Sequence, residues 1–467
     1  MKTIENPVFR YVKTPILPTV LFINGSLVYL GITYFIGAGP SHYRTGLYYL
    51  LTFLWAFILH LRKRSHENLQ FTLYDAIFLS FIIIIIVSLL WSGESLSGVF
   101  LIKFFFFVVF SYALGRLCGP QDVIPLICTI CATGFIGVLL ATLDSILHPQ
   151  LVFSWVRPLF FELPHTNNLL SILIGQMIVA LAIYSLNVQP GINRARRLFA
   201  YLGIIFFSGL LIFLMSRGIV LSTLIVGLMV ALYPYSTSWP RRVMVIVSLM
   251  AGLAIASPFL PKGQNHLLQH FNVLSKQVTP GVADSLASKG QNHLLQDLNA
   301  LSKQVTPGVA DSLASKGRSD LPRHVLWGKY ENNSVAIRMI LWEKAFSLFL
   351  EHPIFGVGAG NFGTFFGKKG VYPHNTTLQV LAEFGSLGVL YILFYFLILI
   401  RLAYLSWQNR NGGKTALTLF VVSGLWFMYL LKIHIYGDFH NNLTFMFYSG
   451  FAVAMIKSNT DHIIGVG

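Results

Sequence analysis

Long apolar runs constrain this chain more than any other feature, and twelve of them approach the length needed to cross a bilayer. A membrane-spanning helix takes about 20 apolar residues at roughly 1.5 Å of rise each. The runs fall at 15–37, 46–61, 71–92, 98–115, 123–147, 167–187, 198–216, 218–235, 243–260, 376–400, 415–431 and 441–456. Only 11% of the 467 residues are charged, against about 25% in a soluble domain. Hydrocarbon leaves backbone amides no water to bond, so runs of this length must close their hydrogen bonds internally as helices. The expected fold is an all-α polytopic membrane protein with about 12 transmembrane helices.

The net charge of +16 is arranged as a topology signal. Sixteen Lys and Arg residues, among them Lys2, Arg62, Arg116, Arg194, Arg241, Arg401 and Lys457, fall on one side of the twelve-span arrangement. The short loops opposite hold four: Arg44, Arg157, Arg217 and Lys432. That asymmetry puts both termini in the cytoplasm and makes membrane lipids, with no nucleic acid, the expected surroundings. The first run follows a basic stretch but contains Asn24 and Gly25 and lacks a small-residue cleavage site. A retained helix is expected there in preference to a removed signal peptide. Cys128 and Cys131 form a CxxC inside the fifth run and read as small residues on a helix face.

Three parts follow: residues 1–260 with helices one to nine, a loop at 261–375 outside the cytoplasm, and residues 376–467 with helices ten to twelve. A loop that long is functional or unstructured, and at the membrane it folds above the lipid or lines a cavity. It contains a tandem repeat: residues 262–288 recur at 289–315 with a period of 27 and three changes. Leu267, Phe271, Leu274 and Val278 are at helical spacing, and Thr279-Pro280-Gly281 stops the pattern. The copies read either as amphipathic helices at the membrane surface or as a duplication in a tolerant loop.

The residues able to do chemistry gather on the outer face. Arg217 stands at a tight turn between the seventh and eighth spans, Arg338 near the start of an expected helix late in the loop, and His374 closes the loop. A lone arginine at a turn can snorkel to headgroups. Two arginines and a histidine beside one loop describe a phosphate site, because guanidinium binds phosphate oxygens in bidentate fashion and imidazole exchanges a proton near neutrality. Gly358, Gly360 and Gly363 match GxGxxG, but without a preceding strand the segment Glu351–Gly363 reads as a tight turn bringing backbone near the site. Glu383 pairs with an arginine, orients the site or satisfies a helix contact. Asp438, His440 and Asn441 are candidate acceptor-binding groups. No acidic pair or His/Cys/Asp cluster has metal spacing, so neither metal nor cofactor is expected.

These residues resemble the O-antigen ligase and polymerase superfamily of bacterial inner membranes. His374-Asn375, nine residues, then Gly385-Ser386-Leu387-Gly388 follows the signature His-Asn and GxxG. Arg338, Trp342, His352-Pro353, Gly356-Val357-Gly358 and Gly360-Asn361-Phe362 precede it in the family's order, and Ser216-Arg217-Gly218 matches a further motif. The resemblance implies transfer of a glycan from an undecaprenyl-diphosphate carrier to an acceptor hydroxyl on the periplasmic face. For the ligases that acceptor is a lipid A–core sugar. It implies His374 as the general base, Arg217 and Arg338 as diphosphate clamps, and inversion without metal. Asn375, Glu383, Asp438 and His440 are expected around the substrates. Val389-Leu390 stands where many relatives have a threonine pair. Polymerisation and transfer to a protein hydroxyl are the alternatives within this chemistry. A twelve-span transporter is the alternative outside it, with Asp75, Lys103 and Glu383 the few charges available within spans.

Overall fold

The computed structural model describes residues 15–38, 42–64, 70–92, 104–149, 160–161, 166–187, 194–214, 217–232, 239–256, 334–366, 371–409, 414–436 and 442–464. The protein is an all-helical polytopic membrane protein, and every expected apolar run carries helix. In chain order these are α1 (Ile16–Asn24), α2 (Ser26–Phe35), α3 (His42–Arg64), α4 (Leu73–Ser88), α5 (Ser111–Leu117, entered through a π turn at Phe105–Phe110) and α6 (Val123–Leu147). Then come α7 (Thr166–Asn187), α8 (Arg194–Phe213), α9 (Arg217–Leu232) and α10 (Trp239–Ala256). The last group is α11 (Ser334–Glu351), α12 (Thr376–Phe384), α13 (Val389–Gln408), α14 (Lys414–Tyr436) and α15 (Leu443–Ile464). Among the described residues, six helices are long and apolar enough to span by themselves, seven if a bent pair counts as one. Four further runs form shorter apolar helices, and the last run forms α15. The tandem repeat at 262–315 lies outside the described residues.

The first span is the main departure from expectation. In place of one helix over 15–37, α1 and α2 meet at 76°. Asn24 sits at the corner and exchanges two amide hydrogen bonds with Gln176 of α7, at 2.9 and 3.0 Å. The Gln176 amide also donates to the Tyr429 hydroxyl, and Tyr448 donates to its carbonyl oxygen at 3.3 Å. All four side chains are buried. Far from water each polar group needs a partner, and this network supplies partners across four helices. Tyr48 donates to the Leu21 carbonyl at the same corner, against Gly25, where a Cβ would collide with the phenol.

Small residues let neighbouring backbones approach, as association in lipid requires. α5 and α15 meet through Gly115 and Gly450; a Cβ on Gly450 would lie 3.0 Å from the Arg116 amide nitrogen. α8 and α10 meet through Gly209 and Gly252, where a Cβ on Gly209 would lie 3.1 Å from the Gly252 carbonyl. At the end of the bundle carrying most basic residues, Arg116 clasps Asp75 through Nε at 2.8 Å and Nη2 at 2.9 Å. Tyr112 donates to the same carboxylate at 2.7 Å, and Lys63 pairs with Asp122 at 2.5 Å. Asp75 closes a capping box with Thr72 in the first turn of α4. It is therefore a paired end-of-helix group and not a charge stranded mid-span.

Candidate active site

The site grows from α11. Ile337, Leu341, Ala345 and Leu348 recur at helical spacing and pack on Val357, Phe362, Leu378 and Ala382. This satellite core binds α11 to α12. Beside that stripe Trp342 turns toward the chain entering α12 and donates Nε1–H to the Pro373 carbonyl at 2.8 Å. Arg338 is one turn before Trp342 on the same side of α11, so its position faces the same stretch.

After α11 the chain runs through the glycine-dense segment, where φ is positive at Gly356 (62°), Gly358 (92°) and Gly360 (71°). This segment docks on the broken end of α12. Helix termini leave carbonyls unpaired, and in a membrane those must be answered. The Val357 amide donates to Ala382 O at 3.0 Å and the Gly358 amide to Glu383 O at 2.8 Å. Ser386 N donates back to Pro353 O at 2.7 Å. The Glu383 carboxylate is buried and accepts from Gly360 N at 3.0 Å and from Gln379 Nε2 at 3.3 Å. A Cβ on Gly385 (φ 60°) would sit 2.6 Å from the Ile354 carbonyl, and one on Gly358 would sit 2.8 Å from Ser92 Cα. The GVGAGN segment and the GSLG break are thus two halves of one joint. Through these two bonds the Glu383 carboxylate takes part in fastening the joint.

His374 stands between Pro373 and the start of α12 with φ 56°, one of two described non-glycine residues in the left-handed region. Such a conformation costs about 1–2 kcal/mol and persists where its surroundings impose it. Upstream, Trp342 grips Pro373. Downstream, Asn375 is the N-cap of α12, its Oδ1 accepting from Leu378 N at 3.1 Å. The imidazole lies 4.4 Å from the Tyr372 ring, centroid to centroid; the residue as a whole is half-buried and its Nδ1 is buried. Asn375 thereby shapes the helix start.

The first turn of α12 is tied to the end of α14. Thr376 Oγ1 donates to Ile433 O at 3.1 Å, and Thr377 Oγ1 lies 2.8 Å from both His434 Nε2 and the Tyr395 hydroxyl. Asn442, at the start of α15, reaches Thr376 Oγ1 at 3.4 Å. Arg217 is the first residue of α9. Thr223 meets Met428 at 3.9 Å, and a Cβ on Gly424 would lie 3.8 Å from Val226. Rising residue numbers in α9 therefore meet falling ones in α14. Carried back along α9, that antiparallel register sets Arg217 level with Ile433 and His434. The positions of Arg217, Arg338 and His374 thus share one end of the molecule. Asp438 and His440 lie outside the described residues. Sequence reasoning missed His434, Thr377 and Tyr395; the only signal for them was a histidine and a threonine among apolar neighbours.

Fold and site together define a helical membrane protein that brings a histidine and two arginines to one end of its bundle. Residues 202–393 match the O-antigen ligase family model, so this segment is similar to the O-antigen ligase superfamily. The matched stretch runs from within α8 to within α13 and contains Arg217, Arg338, His374, Asn375 and Glu383; Asp438 and His440 lie beyond it. No curated protein matches the chain.

Proposed function

We propose that this protein is an O-antigen ligase of the bacterial inner membrane. It transfers a glycan from undecaprenyl diphosphate to a lipid A–core sugar hydroxyl on the periplasmic face. The observation that carries the reading is His374 fixed in a left-handed backbone at the mouth of a broken helix, inside the segment that matches the family. With Nδ1 buried, this reading assigns the incoming hydroxyl to Nε2 of the His374 imidazole.

In the proposed reaction the acceptor hydroxyl gives its proton to His374 and its oxygen attacks the anomeric carbon. The bond from that carbon to the diphosphate oxygen breaks, and configuration inverts. Charge accumulates on the departing diphosphate, where Arg217 and Arg338 hold its oxygens through bidentate, permanently charged donors. His374, Arg217 and Arg338 carry the reaction without metal or cofactor. Asn375 and Glu383 act by shaping the start and end of α12, and Asp438 and His440 are assigned to acceptor binding. Both termini are assigned to the cytoplasm, so the loop at 261–375 and the site face the periplasm.

The test is the lipopolysaccharide banding pattern of cells lacking this gene, complemented with the wild type or with His374→Ala. Free core beside full-length carrier-linked polymer, rescued by wild type and not by the variant, is the expected result. Core bearing a single repeat unit would make the enzyme a polymerase. An unchanged pattern would overturn the lipopolysaccharide assignment.

A further inference from the structure

Beside His374 lies a set of hydrogen bonds joining Tyr395, Thr377 and His434, with the Tyr395 hydroxyl also 3.4 Å from His434 Nε2. His434 Nδ1 is 2.7 Å from the Leu430 carbonyl, which can only accept, so Nδ1 carries the proton. In the neutral ring Nε2 is then the acceptor. Two hydroxyls reach it, Thr377 Oγ1 at 2.8 Å and Tyr395 at 3.4 Å, and the shorter contact makes Thr377 the donor. With its own proton committed, Thr377 Oγ1 accepts from the Tyr395 hydroxyl at 2.8 Å. The result is one directed chain, Tyr395 to Thr377 to His434 to the Leu430 carbonyl. It joins α13, the first turn of α12 and the last turn of α14.

Three features give this chain a purpose beyond packing. It acts on residue 377, three positions after a residue whose positive φ turns the backbone sharply. The direction of the His374 ring therefore depends on where the first turn of α12 is held. Thr376, bonded to Ile433 O, makes the attachment two-point, so the turn cannot rotate about a single bond. The same end of α14 lies level with Arg217 in the α9 register, so one rigid piece references both the histidine and an arginine.

We infer that Tyr395, Thr377 and His434 are positioning residues that hold the first turn of α12 so that the His374 imidazole meets the acceptor hydroxyl. This rests on His374 being the base. Misplacement of a reacting group by about 1 Å costs up to about a hundredfold in rate while leaving substrate binding largely intact. The chain therefore governs kcat and not KM.

The experiment uses the full-length protein in lipid nanodiscs, a synthetic undecaprenyl-diphosphate oligosaccharide as donor and purified lipid A–core as acceptor. Thr377→Val and His434→Leu should each lower kcat about tenfold with KM within about twofold. Thr377→Ser, which keeps the hydroxyl, should restore the wild-type rate. Because both variants cut one chain, the double variant should be no slower than the slower single. Tyr395→Phe removes one hydroxyl and leaves the packing; it should lose about threefold to tenfold in kcat and serves if the threonine variant does not fold. Wild-type kcat in Tyr395→Phe and His434→Leu, losses that multiply, or losses confined to KM would each overturn the inference. His374→Ala measured alongside separates the two ideas. Full activity there removes the base and this inference with it; an inactive His374→Ala beside unaffected chain variants removes the positioning chain alone.

Discussion

On the proposed reading, position 374 asks two things of one residue: an imidazole for chemistry and a left-handed backbone that most side chains resist. Glycine meets the second demand without steric strain, losing more chain entropy on folding. His374→Gly should therefore unfold at the same or a higher temperature than His374→Ala, by about 1 kcal/mol of stability. Both should lose transfer by about a hundredfold or more. Thermal unfolding and turnover measured on the same preparations separate the two demands. The motif around this residue was legible in the sequence, since His-Asn, nine residues and GxxG needs only counting. Its conformation was not. The grip of Trp342 on Pro373 joins positions 31 apart, and the Thr377–His434 bond joins positions 57 apart. Such contacts come from packing, which no local spacing encodes.

Among the elements, the joint between the glycine-dense segment and the end of α12 does the most to shape the site. Sequence alone showed two glycine motifs in order; the structure shows each supplying what the other lacks, amides on one side and orphaned carbonyls on the other. Glu383→Leu should leave the Gly360 amide without its acceptor and cost about 1–3 kcal/mol, whereas Glu383→Gln keeps an oxygen there and should cost less. Thermal unfolding in nanodiscs reads the difference. The bend in the first span was illegible for the opposite reason. A run of apolar residues says that a segment enters the membrane but not that Asn24 will find Gln176, 152 positions away, and turn the helix to reach it. The repeat at 289–315 belongs to this scale too, because it lies between α10 and α11, outside the joint of α11 with α12. Deleting Lys289–Ser315 should leave transfer within about threefold of wild type, checked by complementation.

Across the whole molecule, the length of the apolar runs carried the fold class, because lipid leaves the backbone no partners but its own. How the helices pair was carried by glycines whose meaning appears only in contact. Gly450→Leu should force α5 and α15 apart, cost about 3 kcal/mol or more and sharply reduce the yield of folded protein in detergent chromatography. A cysteine at Asn411 should react with an impermeant thiol reagent only in everted vesicles, and one at Lys368 only from outside intact spheroplasts. The opposite pattern would invert the topology.

The attachment of α12 to α14 also sets when the protein can work. Arg217 is made 217 residues before His434 (434 − 217), and α9, α11 and α12 all leave the ribosome before the end of α14 arrives to hold them. At about 5–20 residues per second, that interval is roughly ten to forty seconds. A chain still being inserted owns its arginines and its histidine but lacks the brace that aims them. On the proposed mechanism, catalytic competence is thereby deferred to the close of synthesis, and half-made copies stay inert in the membrane they are threaded through.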